Sequence, residues 1–273
     1  FGTACSLGLG ALQIQAGLKA SGIIDNPTNS VVIGIVLVLT LAFILSAMSG
    51  VGKGIQYISN ANMVLAAVLA IFVFILGPTV TILNQIPGSI GNYLNYFTEM
   101  IGRTAESENG AAAEWLSGYT IFYWAWWVSW APFVGIFIAR VSRGRTIKEF
   151  ILGVLFAPAL VSFFFFAVFG GAAVYLQHSG IANIAKEAAE TATFATLEHF
   201  PLGFVLSIVS LIVIMIFFVT SADSATYVLG MLSSKGNINP SSFVKVSWGI
   251  IMALFAMIMI YTGGTQAIQN LLI

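Results

Sequence analysis

Seven apolar runs, at roughly 1–18, 31–49, 62–84, 119–139, 150–177, 202–232 and 243–262, are separated by short polar loops that hold nearly all of the charge. A helix needs about 20 largely apolar residues to cross a bilayer. In hydrocarbon no water pairs the backbone, so each run must satisfy its own N–H and C=O groups, which a helix does and an open sheet edge does not. The chain is therefore expected to be an all-α polytopic membrane protein with seven spans, two of them partial. Composition agrees: 7% of the residues are charged and 59% hydrophobic, against roughly 25% charged in a soluble domain. The formal net charge is zero, and no nucleic-acid partner is expected; the partner is the lipid bilayer. A single cysteine, Cys5, excludes an intramolecular disulfide. The chain opens inside "FGTACSLGLGALQIQAGL" without an initiator methionine and closes on "TQAIQNLLI". It reads as an internal piece of a longer protein, with the closing stretch as the start of another span.

Loop charge sets the orientation, because Lys and Arg are retained on the cytoplasmic side. With "RVSRGRTIKEF" inside, alternation places Lys53, Arg140, Arg143, Arg145, Lys148, Lys235 and Lys245 inside and only Lys19, Arg103 and Lys186 outside. Asp25, Glu99, Glu106, Glu108, Glu114, Glu187, Glu190 and Glu198 all fall on the outer side. Between the third and fourth runs, "PGSIGNYLNYFTEMIGRTA" is too polar to span, yet Ile90, Tyr93, Leu94, Phe97 and Ile101 recur at helical spacing. That pattern suits an amphipathic helix lying along the outer surface, and it makes 87–118 a candidate boundary between two repeats. The outer segment "GIANIAKEAAETATFATLEHF" reads as a solvated connector of helical character.

The densest chemical signal is "YWAWWVSWAP", residues 123–132, with Trp124, Trp126, Trp127 and Trp130. At 100° per residue Trp126, Trp127 and Trp130 fall within about a 100° arc, and Trp124 lies some 60° beyond Trp127. An interfacial belt would put indoles at the ends of a span. Trp130 instead lies about 16 Å along the axis from Tyr119, near the midplane. Pro132 and Gly135 follow, so the helix is expected to kink or unwind there, and freed carbonyls at membrane depth are tolerated where they line a cavity. Stacked indoles beside a broken helix suit a cation that cannot hydrogen-bond, such as a quaternary ammonium group.

"YWAWWVSWAPFVGIFIARVSRGRTIKEF" resembles the signature of the betaine/choline/carnitine transporter family, and "FFVTSADSATYVLGM" resembles its second marker; the likeness runs along the whole chain. The resemblance implies a LeuT-type inverted-repeat transporter fold in the cell's inner (plasma) membrane. Residues 1–86 would be the end of the first repeat, 87–118 an outer surface connector, and 119–273 the second repeat, with four helices and the start of a fifth. It implies secondary transport of a trimethylammonium osmolyte such as glycine betaine, choline or carnitine, and a homotrimer to which 87–103 contributes. Trp127 would form one wall of the ammonium box, with Trp126 and Trp130 completing it or lining the path and Trp124 beside them. Thr220 and Ser221 are implied as hydroxyl ligands of a coupling sodium ion, and Thr3 with Phe133 as part of a second sodium site. No cofactor beyond the ion is implied.

From residues alone other readings stay open. Mid-helix Ser and Thr commonly bond back to a carbonyl one turn earlier, which would account for Thr220 and Ser221. Asp223, the lone acidic residue between Leu202 and Met231, could serve a gate, a helix end or proton coupling. Sodium symport, proton symport and exchange all remain, as does a channel, although a pore does not account for clustered indoles. An enzyme is not expected: His178 and His199 fall in outer loops and no span holds a carboxylate pair. "GVGKG" at 50–54 lacks the spacing of a phosphate-binding loop and reads as an inner turn.

Overall fold

The structure, a computed structural model, describes residues 2–48, 54–237 and 239–272, so Lys53 and the expected inner turn before Gly54 lie outside the described residues. Among the described residues there is no strand. The helices are α1 (Gly2–Ala20), α2 (Asn29–Met48), α3 (Gly54–Leu76), α4 (Thr79–Ile101), α5 (Ala112–Trp115), α6 (Phe122–Val141), α7 (Ile147–Ile151), α8 (Ala157–Phe165), α9 (Gly171–His178), α10 (Ala192–Glu198), α11 (Gly203–Ser233) and α12 (Ser242–Leu272). A π-helical turn at Leu116–Ile121 fuses α5 to α6, and two more, Leu152–Phe156 and Phe166–Gly170, fuse α7, α8 and α9 into one rod. Among the described residues five segments are long and apolar enough to cross a membrane: Tyr57–Leu76, Ala112–Ala139, Ile147–His178, Gly203–Ser233 and Ser242–Thr262. With α1 and the apolar α2 they account for the seven runs, and the chain is a helical, multi-pass membrane protein.

α1 falls short of that apolarity because it faces protein rather than lipid. Gly2, Ala4, Cys5, Gly8, Ala11, Ala16 and Gly17 are all buried in it, and small residues let neighbouring backbones approach closely. α1 packs on α11 and α12, and α11 in turn packs on α2, α3 and α12. A side-chain carbon on Gly17 would come within 2.6 Å of Phe194 and 2.9 Å of Leu211, whereas one on Gly10 would approach Phe218 at 3.2 Å. Residue 17 therefore faces 211 and residue 10 faces 218, an antiparallel register that sets Thr220 and Ser221 opposite residues 7 and 8. Leu7, Ala11, Ile14, Phe43, Leu211, Phe218 and Ala222 share this core. A second core joins α3, α4, α9 and α11 through Leu69, Val73, Ile82, Leu176 and Leu206.

Several boundaries differ from the expected ones. The third span does not reach residue 84: α3 stops at Leu76, and after Gly77 and Pro78 the chain restarts as α4 at Thr79. Pro78 has no N–H to continue the ladder, and Thr79 N turns to Gly77 O at 2.9 Å. α4 then runs through Pro87, so the amphipathic helix begins eight residues before the proposed boundary at 87. The outer segment near 190 is no solvated connector, since α10 drives Phe194 and Leu197 into the core at 1% and 0% exposure. α6 runs unbroken through Pro132 rather than unwinding; the departure from α geometry comes earlier, at Leu116–Ile121. Finally, "TQAIQNLLI" up to Leu272 continues α12 instead of starting another span. No proline or polar turn separates it from Tyr261, and Gly263 and Gly264 permit a helix although they do not favour one.

Candidate functional site

α6 carries the aromatic row, and its register decides which rings face protein. Trp126 and Trp130 are half-buried, while Trp124 and Trp127 are each 71% exposed in this chain. The expected single face is thus divided: on a helical wheel Trp126 and Trp130 lie about 40° apart, and Trp127 and Trp124 lie progressively further round. The edge of burial passes between Trp130 and Trp127. On the inner side Phe122 is buried, its ring centroid 5.5 Å from that of Trp126, whereas Tyr123, 5.9 Å from Trp126, is 47% exposed. One turn further, Trp130 meets Phe133 edge to face at 5.1 Å. Gly2 of α1 sits directly on this stretch: a side chain there would collide with Ser129 Oγ and approach the Trp130 ring at 2.7 Å.

Pro132 cannot donate to Val128, its partner one turn back. Beside that gap Ser129 Oγ donates to Trp126 O at 2.7 Å. The indole Nε1 of Trp126 is buried and has no hydrogen-bond partner. An unmade bond of this kind costs about 1–3 kcal/mol, and a buried unpaired donor in an aromatic surround is suited to an acceptor that arrives with a ligand. Thr40 Oγ1 on α2 and Asn62 Oδ1 on α3 are likewise buried without partners. Both are polar residues within apolar runs, visible in the sequence but part of neither motif.

Thr220 and Ser221 are half-buried on α11. Thr220 Oγ1 donates to Ile216 O at 3.0 Å and to Phe217 O at 3.2 Å. That is the back-bonded arrangement, and it leaves the lone pairs of the hydroxyl oxygen free to face a cation, because only the proton is engaged. Thr3 is half-buried one residue from the Gly2 contact, and Phe133 packs on the core around α1 and α11. The structure thus brings the start of α1 against the Ser129–Phe133 stretch and sets α11 alongside. It does not bring all four tryptophans to one surface. Asp223 is 3% exposed on α11, one turn before Thr226, whose Oγ1 donates to Asp223 O at 2.8 Å.

The whole chain, residues 1–273, matches the family model described as BCCT, the betaine/carnitine/choline family of transporters. Over 269 residues it is 51% identical to the glycine betaine transporter OpuD of Bacillus subtilis, covering 98% of this chain and 52% of that protein. It is 42% identical to the betaine/ectoine transporter LcoP of Corynebacterium glutamicum, covering 99% and 43%. To an ectoine/hydroxyectoine transporter of Virgibacillus pantothenticus it is 40% identical, covering 98% and 54%. The chain spans about half the length of the curated relatives it matches.

Proposed function

The chain belongs to the betaine/carnitine/choline transporter family, and from that premise we propose that the protein containing it carries a small methylated-ammonium zwitterion, glycine betaine first, across the plasma membrane by sodium-coupled alternating access. The observation that carries this reading is the α6 aromatic row with the unpaired indole N–H of Trp126 at its centre. Ring faces attract the methylated cation, and the N–H offers a charge-assisted bond to the carboxylate at the other end of the molecule. Trp127 is the ring left facing outward, and helices outside this chain complete the box around it. Ectoine is a zwitterion of the same charge layout, and two relatives carry it in their names.

Sodium coupling draws on Thr220 and Ser221, whose hydroxyl oxygens suit a hard cation, with Thr3 and Phe133 as the weaker second pair. Proton coupling is the second reading, and Asp223, buried within a span, is the residue that favours it. In this reading α1–α3 close the first inverted repeat, α4 and the turns after it form the outer connector, and α6 onward belongs to the second repeat. The exposed row of Tyr93, Leu94, Phe97 and Ile101 on α4 is a surface for a trimer contact. The test is uptake of labelled glycine betaine by proteoliposomes holding the full-length protein, with a sodium gradient compared against a proton gradient at equal sodium. Accumulation only under the sodium gradient supports the reading. Equal accumulation without sodium transfers it to proton coupling or exchange.

A further inference from the structure

α6 carries Pro132 inside the span Ala112–Ala139 and runs through it unbroken. A proline in a helix interior has no N–H to give, so the carbonyl four residues earlier, that of Val128, loses its donor in the ladder. The adjacent hydroxyl does not replace that donor, because Ser129 Oγ donates to Trp126 O at 2.7 Å. Val128 lies sixteen residues after Ala112 and eleven before Ala139, so its carbonyl is far from either end of the span. Such a carbonyl costs free energy against hydrocarbon and is tolerated where it meets protein, water or a ligand.

The surroundings decide which of these it meets. Helix carbonyls point toward the C-terminus, so Val128 O is aimed at the next turn, at residues 131, 132 and 135. Trp124, Val128, Ala131, Pro132 and Gly135 form one stripe at helical spacing, and all five are exposed in this chain. Ala131 has only a methyl group, and a side-chain carbon on Gly135 would meet nothing within 4 Å. The carbonyl therefore stands in a notch with small residues on its C-terminal side and, one turn before Ala131, the exposed ring of Trp127. A ring face and a bare carbonyl side by side attract different parts of one cation: the face takes methyl groups, and the oxygen takes an N–H in a charge-assisted bond. A trimethylammonium head has no N–H to offer. We propose that the Val128 carbonyl, freed by Pro132, is a specificity-determining acceptor for ammonium solutes that keep an N–H, such as N,N-dimethylglycine. That a solute stands beside Trp127 rests on the transport reading; that the oxygen lacks its ladder donor rests on Pro132 alone.

The test compares the parent with Pro132→Ala, which returns an N–H to the ladder and so occupies Val128 O. Glycine betaine and N,N-dimethylglycine, alike except that one methyl group is replaced by an N–H, are titrated calorimetrically into purified full-length protein at saturating sodium. In the parent, dimethylglycine should bind within about tenfold of betaine, because its N–H finds an acceptor. A larger penalty overturns the proposal without any variant. In Pro132→Ala, dimethylglycine should bind about tenfold to a hundredfold more weakly, the loss of a bond to a charged donor, while betaine moves by less than about threefold. Equal weakening of the two solutes, or no change in either, places the carbonyl's partner elsewhere and overturns the assignment. Pro132→Gly restores the same N–H and decides if Pro132→Ala gives no single peak on size exclusion. If the two solutes bind as expected but proteoliposomes accumulate neither, the transport reading falls and the acceptor stands. Accumulation of betaine with an unmoved ratio of affinities has the opposite meaning.

Discussion

Replacing Trp126 with phenylalanine separates a ligand donor from a merely orphaned one. The substituted side chain would keep a ring beside Phe122 and Tyr123, whose centroids lie 5.5 Å and 5.9 Å from that of Trp126, and would remove the buried Nε1–H that has no partner. If that N–H receives a substrate carboxylate, the lost bond is one to a charged acceptor, worth about 1.5–3 kcal/mol. At 1.4 kcal/mol per factor of ten, glycine betaine should bind about tenfold to a hundredfold more weakly. Choline has the same trimethylammonium head and no carboxylate, so its affinity should move by less than about threefold, the scale of a modest change in ring contact. The assay is equilibrium competition of the two compounds against one labelled ligand, on purified full-length protein at saturating sodium. Thermal stability should hold or rise slightly, because an unmade buried bond has been removed. Equal weakening of betaine and choline would refute the donor role and leave Trp126 as packing alone. Unchanged affinity for both would remove it from the site.

Three other outcomes are expected. Trp127→Leu should weaken betaine and choline alike by about 1–2 kcal/mol, since a ring face serves the shared methylated head; binding isotherms check this, and Trp127→Phe should lose less. Thr220→Ala with Ser221→Ala should raise the sodium concentration for half-maximal uptake while substrate affinity at saturating sodium changes much less; the two ligands' coupling, about 1–3 kcal/mol, is reciprocal. If the hydroxyls serve only their own helix, sodium dependence will not move. Gly17→Leu should destabilise the bundle by at least the roughly 1–3 kcal/mol of an overpacked core, because a first side-chain carbon already meets Phe194 at 2.6 Å. A melt followed by fluorescence checks it against Gly34→Ala, where nothing lies within 4 Å of the added carbon.

The helical class and the number of runs were legible in the sequence because lipid imposes them locally: a run of apolar residues must close its own hydrogen bonds, whatever lies beside it. The tryptophan row was legible too, since four indoles in seven positions stand out without any neighbour. Which side of α6 each ring faces was not. Trp127 and Trp130 are three residues apart and nearly share a face by periodicity, yet α1 covers only the Trp130 side, through the close approach at Gly2. Likewise, the alanine-rich sequence around Phe194 and Leu197 has the composition of a solvated loop, and only the glycine-lined gap on α1 accepts the Phe194 ring. Proline positions were equally ambiguous: Pro78 ends a helix where Gly77 precedes it, while Pro87 and Pro132 sit inside helices that continue past them. Helix formation in a bilayer is decided by each segment's own backbone, whereas burial and orphaned donors depend on which segments meet, and that is a property of the tertiary structure.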